Sequence, residues 1–214
     1  IFGGFSADSI RDRIGDAQAR IVVTADGGWR RGQIVRLKDT VDAAVANLPE
    51  VSQVIVLRRT GHEVHMRPGR DLWWHDLVAV EATCPAEQIE ADAPCMIVYT
   101  SGTTGKPKGT VHSHCGFMVK VALDFGIILD LTQRDRLLWM SDMGWLTGPI
   151  LAVAVPLVGA TMVLAEGTPD FPDRDRWWEL VARYGVTIFY TAPTAIRAHM
   201  KWGADHAAKH DLSS

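Results

Sequence analysis

The sequence lacks an excess of either charge. It has 22 lysines and arginines against 25 aspartates and glutamates, net −3, so nothing marks it for a nucleic acid or an anionic membrane surface. It also lacks a long hydrophobic run. The longest, Pro149 to Val158, is about half a membrane span and is interrupted by Pro156. No basic segment followed by a signal-type apolar run opens the chain. Only three cysteines occur, Cys84, Cys95 and Cys115, with no paired spacing. That excludes a disulfide framework and fits a reducing, cytoplasmic setting. Cys95 and Cys115 are expected to be buried small hydrophobes. There is no internal repeat and no low-complexity segment.

What is present is an ordinary globular composition. At 214 residues and 47% hydrophobic content, the chain can bury a substantial core. It begins at Ile1 and ends on His210-Asp211-Leu212-Ser213-Ser214, and we read it as an internal piece of a longer protein.

Strand and helix signals alternate along it. Ser6 is placed to cap a helix carrying Ile10, Ile14 and Ala17, and Ile21 to Ala25 reads as a strand. After the Asp26-Gly27-Gly28 turn, a helix from about Asp39 carries Val41, Ala44, Val45 and Leu48, and Val54 to Leu57 is a buried-type strand. This strand–helix–strand rhythm implies parallel pairing. Asp71 is expected to cap a short helix in which Trp73 and Trp74 are core, and residues 81–94 to connect. Cys95 to Val98 reads as a buried strand and Gly109 to His112 as a second strand. His114 to Leu129 suits a helix, Arg136 to Met140 a strand, Trp145 to Val158 a buried helix and Thr161 to Ala165 a strand. Asp173 is placed to cap a helix with Trp177, Leu180, Val181 and Tyr184. Val186 to Tyr190 is the last strand, and Pro193 opens the last helix. The pattern is α/β.

The stretch Tyr99-Thr100-Ser101-Gly102-Thr103-Thr104-Gly105-Lys106-Pro107-Lys108-Gly109 stands out. Its glycines let backbone N–H groups turn toward an anion, its hydroxyls add neutral donors, and Lys106 and Lys108 add compact charge. Such a loop suits a polyphosphate; the alternative reading is an exposed turn. It is not a Walker A loop: only Thr103 and Thr104 separate Gly102 from Gly105-Lys106, and Pro107 replaces the magnesium-binding hydroxyl.

This run resembles the phosphate-loop signature of the adenylate-forming (AMP-binding) superfamily, which includes acyl-CoA synthetases, luciferases and peptide-synthetase adenylation domains. Three further segments, Gly69 to Leu77, Gly144-Trp145-Leu146-Thr147-Gly148 and Tyr190 to Arg197, resemble the acetyl-CoA synthetase and short-chain acyl-CoA synthetase family, in the same order. The resemblance implies stacked, mostly parallel sheets flanked by helices, forming part of the large N-terminal domain of such an enzyme. Residues 1–94 would be a first α/β part with a coenzyme A-side segment. Residues 95–214 would be the phosphate loop and a second part. The C-terminal domain, with its adenylation lysine, would lie outside the chain, and the chain alone is then expected not to turn over.

The activity implied is ATP-dependent activation of a short-chain carboxylate, acetate first, to an acyl-adenylate and then an acyl-CoA thioester. ATP arrives with Mg2+, and coenzyme A is the co-substrate. Thr100, Ser101, Gly102, Thr103, Thr104, Gly105, Lys106 and Lys108 would hold the phosphates. Trp145, Leu146 and Thr147 would line the acyl pocket, where the family often has Val in place of Leu146; on spacing alone Trp145 is an ordinary core aromatic. Arg30, Arg31, Thr147 and Thr187 would contact coenzyme A. Gln33 stands where the family carries a second arginine, and the alternative for Arg30 and Arg31 is a pair of solvated surface side chains. His112 and His114, and His206 and His210, have no glutamate or cysteine at ligand spacing, so no metal site is expected. Two rivals stand beside this reading: a ligase for propionate, acetoacetate or a longer acid, and a non-catalytic nucleotide-binding or interaction domain.

Overall fold

A computed structural model describes residues 1–100 and 107–214. They form two compact units, Ile1–Ser113 and His114–Ser214.

In the first unit, Ser6 caps helix α1 (Ala7–Asp16) by accepting from the Ser9 N–H at 3.3 Å. Strand β1 (Ile21–Ala25) leads to a small hairpin, β2 (Gly28–Arg30) and β3 (Gln33–Val35), then to helix α2 (Leu37–Val45) and strand β4 (Gln53–Leu57). Strand β5 (Asp71–Trp73) completes a parallel sheet of order β1-β4-β5. The apolar faces of α1 and α2 bury Ile10, Ile14, Val41, Ala44 and Val45 with Val54 and Val56 of β4. Alternate residues of β4 supply that face, as the two-residue period of a strand requires.

Asp71 is not a helix cap. It is the first residue of β5, and its carboxylate is wholly buried against the Lys38 ammonium at 2.8 Å. Lys38, also 0% exposed, donates to Asp42 at 2.7 Å and to the His65 carbonyl at 2.9 Å. The Arg70 Nε donates to Asp71 at 2.5 Å, and its terminal nitrogens reach Asp42 and Asp71. Two cations and two carboxylates thus neutralise one another out of water, which a buried charge demands. Helix α3 starts two residues later than expected (Trp74–Val78), and Trp74 is 41% exposed while Trp73 packs under the Arg58 guanidinium, 4.5 Å from its ring.

Asp26 is a second fully buried carboxylate. Its oxygens accept from Gly27, Arg59, Thr60 and Gly61 N–H groups at 2.6 to 2.9 Å. Burial pushes its pKa up, but these four amides outweigh burial and bring it from 3.8 to about 2. Asp71 also falls to about 2: burial opposes the shift, and Arg70, Lys38 and the Arg67 N–H reverse it.

Strands β6 (Pro94–Thr100) and β7 (Lys108–Ser113) form an antiparallel ribbon of their own. The strand expected over 95–98 is present but largely exposed, and so are Cys95 and Cys115. A two-stranded ribbon has no third strand to cover it, so a short apolar run does not guarantee burial.

In the second unit, helix α4 (His114–Ala122) widens into a π-helical stretch (Leu123–Ile128), where Leu129 N–H donates to Asp124 five residues back. Strands β8 (Arg136–Trp139), β9 (Thr161–Val163) and β10 (Ile188–Tyr190) form a parallel sheet of order β10-β8-β9. Helix α5 (Thr147–Val158) begins two residues after the expected Trp145 and ends on Gly159 in the left-handed region. Pro149 falls in its first turn, where backbone N–H groups have no helical partner. Helices α6 (Arg176–Tyr184) and α7 (Pro193–Trp202) follow, the first after Asp175 rather than Asp173, then a 3-10 turn (Ala204–Lys209). On β8, Leu137 joins a cluster with Val121, Leu151 and Val155, and Leu138 one with Val181 and Val186. The central strand is therefore buried on both faces.

Two outcomes test the buried charges. Lys38→Ala leaves Arg70 alone to balance Asp71 and Asp42, one carboxylate in excess beside a buried site, and urea titration is expected to show a loss of about 3–5 kcal/mol. Asp26 and Asp71 both titrate below 3.8 when folded. Their contribution is therefore complete above about pH 4 and is lost as pH falls from about 4 toward 2. Thermal melts should drop in that window, and the drop should shrink in Asp26→Asn and Asp71→Asn; an unchanged pH slope in both variants refutes this account.

Candidate functional site

Thr100 and Lys108 are the last and first residues of β6 and β7 and are direct cross-strand partners, with the Thr100 hydroxyl 3.5 Å from the Lys108 carbonyl oxygen. They are the two arms that flank the glycine- and threonine-rich stretch. Ser101, Gly102, Thr103, Thr104, Gly105 and Lys106 lie outside the described residues. The arms are anchored. The Tyr99 hydroxyl donates to Asp16 of α1 at 2.5 Å, and burial with the Asp16 carboxylate raises the phenol to about 12, so it stays a donor at neutral pH. Thr110 donates to the Val98 carbonyl across the ribbon at 2.8 Å.

Arg30 ends β2, and Arg31 and Gly32 make the turn with φ of 50° and 72°. Two successive residues at positive φ are the two-residue hairpin turn whose twist suits paired strands. It makes Arg30 and Gln33 cross-strand partners. The two-residue separation between these positions in the sequence thus becomes side-by-side placement, and both Arg30 and Arg31 are exposed.

In the second unit, the carboxyl ends of β8 and β10 lie together. Trp139 and Tyr190 are in register with ring centroids 4.3 Å apart, and Met140 N–H donates to the Tyr190 carbonyl. The chain then turns through Ser141 to Leu146. Asp142 organises this turn, accepting from Gly144 N–H on its carboxylate at 2.7 Å and from Trp145 N–H on its carbonyl at 3.1 Å. Thr147 opens α5 and donates to the Ser141 hydroxyl at 3.0 Å, closing the loop. Gly148 packs so tightly that a β-carbon there would lie 2.2 Å from the Met143 carbonyl oxygen. Trp145 and Leu146 are 43% and 38% exposed, so Trp145 is not an ordinary core aromatic.

Thr191, next to Tyr190, has a buried hydroxyl with no hydrogen-bond partner among the described residues. It lies in the Tyr190 to Arg197 segment singled out in the sequence, between a strand end and the Pro193 helix start, where ligands of open α/β sheets gather. Thr187 lies at the other end of the same strand. It donates to Asp135 at 2.8 Å and accepts from Arg136 N–H at 3.0 Å, so its hydroxyl is engaged at the amino end of the sheet, away from Thr147. Asp135 is held below the ordinary carboxylate range by the Thr132 hydroxyl and N–H, with Thr187 adding to it.

The histidines have other neighbours. His206 and Lys209 pair with Asp175, and His199 packs against Trp177, Trp178 and Trp202. Burial, then the charge of His206, lowers the His199 pKa. Among the described residues no group of histidine, cysteine, aspartate and glutamate has the arrangement of a metal site, and no helix is long and apolar enough to cross a membrane.

The chain is 49% identical to an acetyl-coenzyme A synthetase of Rubrobacter xylanophilus and 51% identical to one of Streptomyces avermitilis, in each case over its whole length. It covers 34% and 33% of those proteins, about a third of their length. Its fold matches an acetoacetyl-CoA synthetase from Streptomyces lividans with a TM-score of 0.87 and 34% identity, over 98% of this chain and 32% of that one. A family model described as AMP-binding enzyme matches residues 1–214. With the parallel sheets, the loop at the carboxyl end of the second and the threonine- and glycine-rich stretch between paired strands, these matches show that the chain belongs to the AMP-binding enzyme family.

Proposed function

We propose that the intact protein activates a short-chain carboxylate, acetate, and joins it to coenzyme A. The supporting observation is that the Trp145-Leu146-Thr147 loop leaves the carboxyl end of the central strand beside that of β10, in a chain about half identical to acetyl-coenzyme A synthetases. Ligands of open α/β sheets gather at such ends.

In the proposed reaction, a carboxylate oxygen attacks the α-phosphorus of ATP, which enters with Mg2+, and the bond to the β-phosphate oxygen breaks to release pyrophosphate. The coenzyme A thiolate then attacks the adenylate carbonyl carbon and AMP leaves. The first step is needed because oxide is too poor a leaving group for direct thioester formation. Residues 100–105, Lys106 and Lys108 hold the departing phosphates through amides, hydroxyls and ammonium charge, which acts where negative charge accumulates. Trp145 and Leu146 bound the acyl chain, and Thr147, fixed by Ser141, sits at its edge. Arg30 and Arg31 on the exposed hairpin meet the coenzyme A phosphates as planar, two-pronged donors. Thr187, whose hydroxyl is held by Asp135 and the Arg136 N–H, completes the proposed coenzyme A set.

A second substrate, acetoacetate, is favoured by the Streptomyces lividans neighbour, at a lower identity of 34%. A panel of carboxylates in ATP–pyrophosphate exchange separates the two. Acetate is expected to give the fastest exchange, and Lys106→Ala/Lys108→Ala to slow it about a hundredfold. ATP binding by calorimetry without exchange on any carboxylate would instead identify a non-catalytic nucleotide-binding domain. Gly148→Ala forces the Met143 carbonyl aside and is expected to raise the acetate KM about tenfold while the ATP KM holds within about twofold. Equal KM values for wild type and variant would remove the loop from the acyl site.

A further inference from the structure

The coenzyme A-side hairpin is short: three residues in each strand. A two-stranded ribbon of that length is not stable alone, so something outside it must hold Arg30 in place. The contacts converge on its base. Asp26 lies two residues before the hairpin and is completely buried. One carboxylate oxygen accepts from Gly27 at 2.6 Å, Arg59 at 2.9 Å and Thr60 at 2.9 Å, and the other from Thr60 at 3.2 Å and Gly61 at 2.7 Å. Its own N–H donates to the Leu57 carbonyl at 2.9 Å, and its carbonyl accepts from Lys38 N–H at 3.3 Å. One residue therefore joins the end of β1, the turn after β4, the start of α2 and Gly27, the residue that leads into the hairpin.

Gly27 then leaves no slack. A β-carbon there would lie 2.9 Å from the His62 ring, from Ile34 and from the Val35 carbonyl oxygen. Ile34 and Val35 are the returning strand, so both legs of the hairpin are seated at one point. Arg30 stands three residues further on, about 10 Å along an extended strand, and a small rotation at the base would sweep its guanidinium by a comparable fraction of that length.

We propose that Asp26 is a positioning residue for coenzyme A: by gathering the amides of Gly27 and of Arg59 to Gly61 on one buried carboxylate, it sets where the hairpin presents Arg30. This rests on the coenzyme A reading of the hairpin. The position calls for an acceptor on both oxygens. Asparagine would keep one and point its NH2 at the Gly61 N–H, leaving a donor facing a donor in a buried site.

The test uses the intact protein and separates the two half-reactions. Asp26→Asn is expected to raise the KM for coenzyme A about tenfold in thioester formation, with carboxylate-dependent ATP–pyrophosphate exchange, which needs no coenzyme A, within about twofold of wild type. Combined with Arg30→Ala, it should add little to the effect of Arg30→Ala alone, because both act through one contact. Should Asp26→Asn not fold, Gly27→Ala displaces the same seat without altering the carboxylate and is expected to give the same split. An unchanged coenzyme A KM, or an equal loss in both half-reactions, overturns the proposal. Arg30→Ala distinguishes the two levels: no effect on the coenzyme A KM discards the ligand reading of the hairpin itself. An effect there without one in Asp26→Asn or Gly27→Ala discards Asp26 alone.

Discussion

The first unit depends on an ammonium group held out of water. Lys38 is tolerable in the interior only because Asp42, Asp71 and the His65 carbonyl surround it, and because Arg70 balances the second carboxylate. The four charges sum to zero. Removing one leaves an uncompensated ion in a medium that solvates it poorly. The network also spans the chain: it ties the start of α2 to the loop before β5 and to the strand itself. Asp26 does the equivalent work with amides instead of cations, where β1 gives way to the hairpin. Arg30 is thus carried on a small element whose base is fixed by buried polar contacts rather than by apolar packing.

The second unit solves the same problem by layering. Adjacent leucines on β8 face opposite helical layers, so the strand is enclosed and its ends are the places left for chemistry. At the carboxyl end, the Asp142 turn and the Gly148 contact shape a loop that presents Trp145 and Leu146 outward. The rigid sheet positions the loop, and two contacts within the loop fix its path.

Much of this architecture is legible in the sequence because it is local. Ser6 before an apolar helix face, the branched strands over 21–25 and 54–57, and Pro193 at a helix start each announce themselves within a few residues. What escapes is set by distant partners. Asp71 before an apolar run has the pattern of a cap; only Lys38, far back in the chain, makes it a buried strand residue. Cys95 to Val98 has the composition of an interior strand, yet among the described residues it pairs with β7 alone. The hairpin at 28–35 is too short to show alternation, so its strands were hidden in a glycine turn signal. At the site, the motifs identify residue types readily, whereas the pairing of Arg30 with Gln33 and the buried Thr191 hydroxyl, without a partner among the described residues, exist only in three dimensions.

Thr187 carries a consequence for the phase of the second sheet. A strand with apolar side chains on both faces offers little to resist sliding by one position against its neighbour. The Thr187 hydroxyl is bracketed by Asp135 and the Arg136 N–H, while its own N–H donates to the Arg136 carbonyl, so β10 has a single lateral setting against β8. A shift by one would carry Tyr190 off the Trp139 ring and turn the strand's opposite faces inside out. One small alcohol at the amino end of the sheet thus acts as its index mark, and the alignment it imposes is what sets Tyr190 beside Trp139 at the carboxyl end.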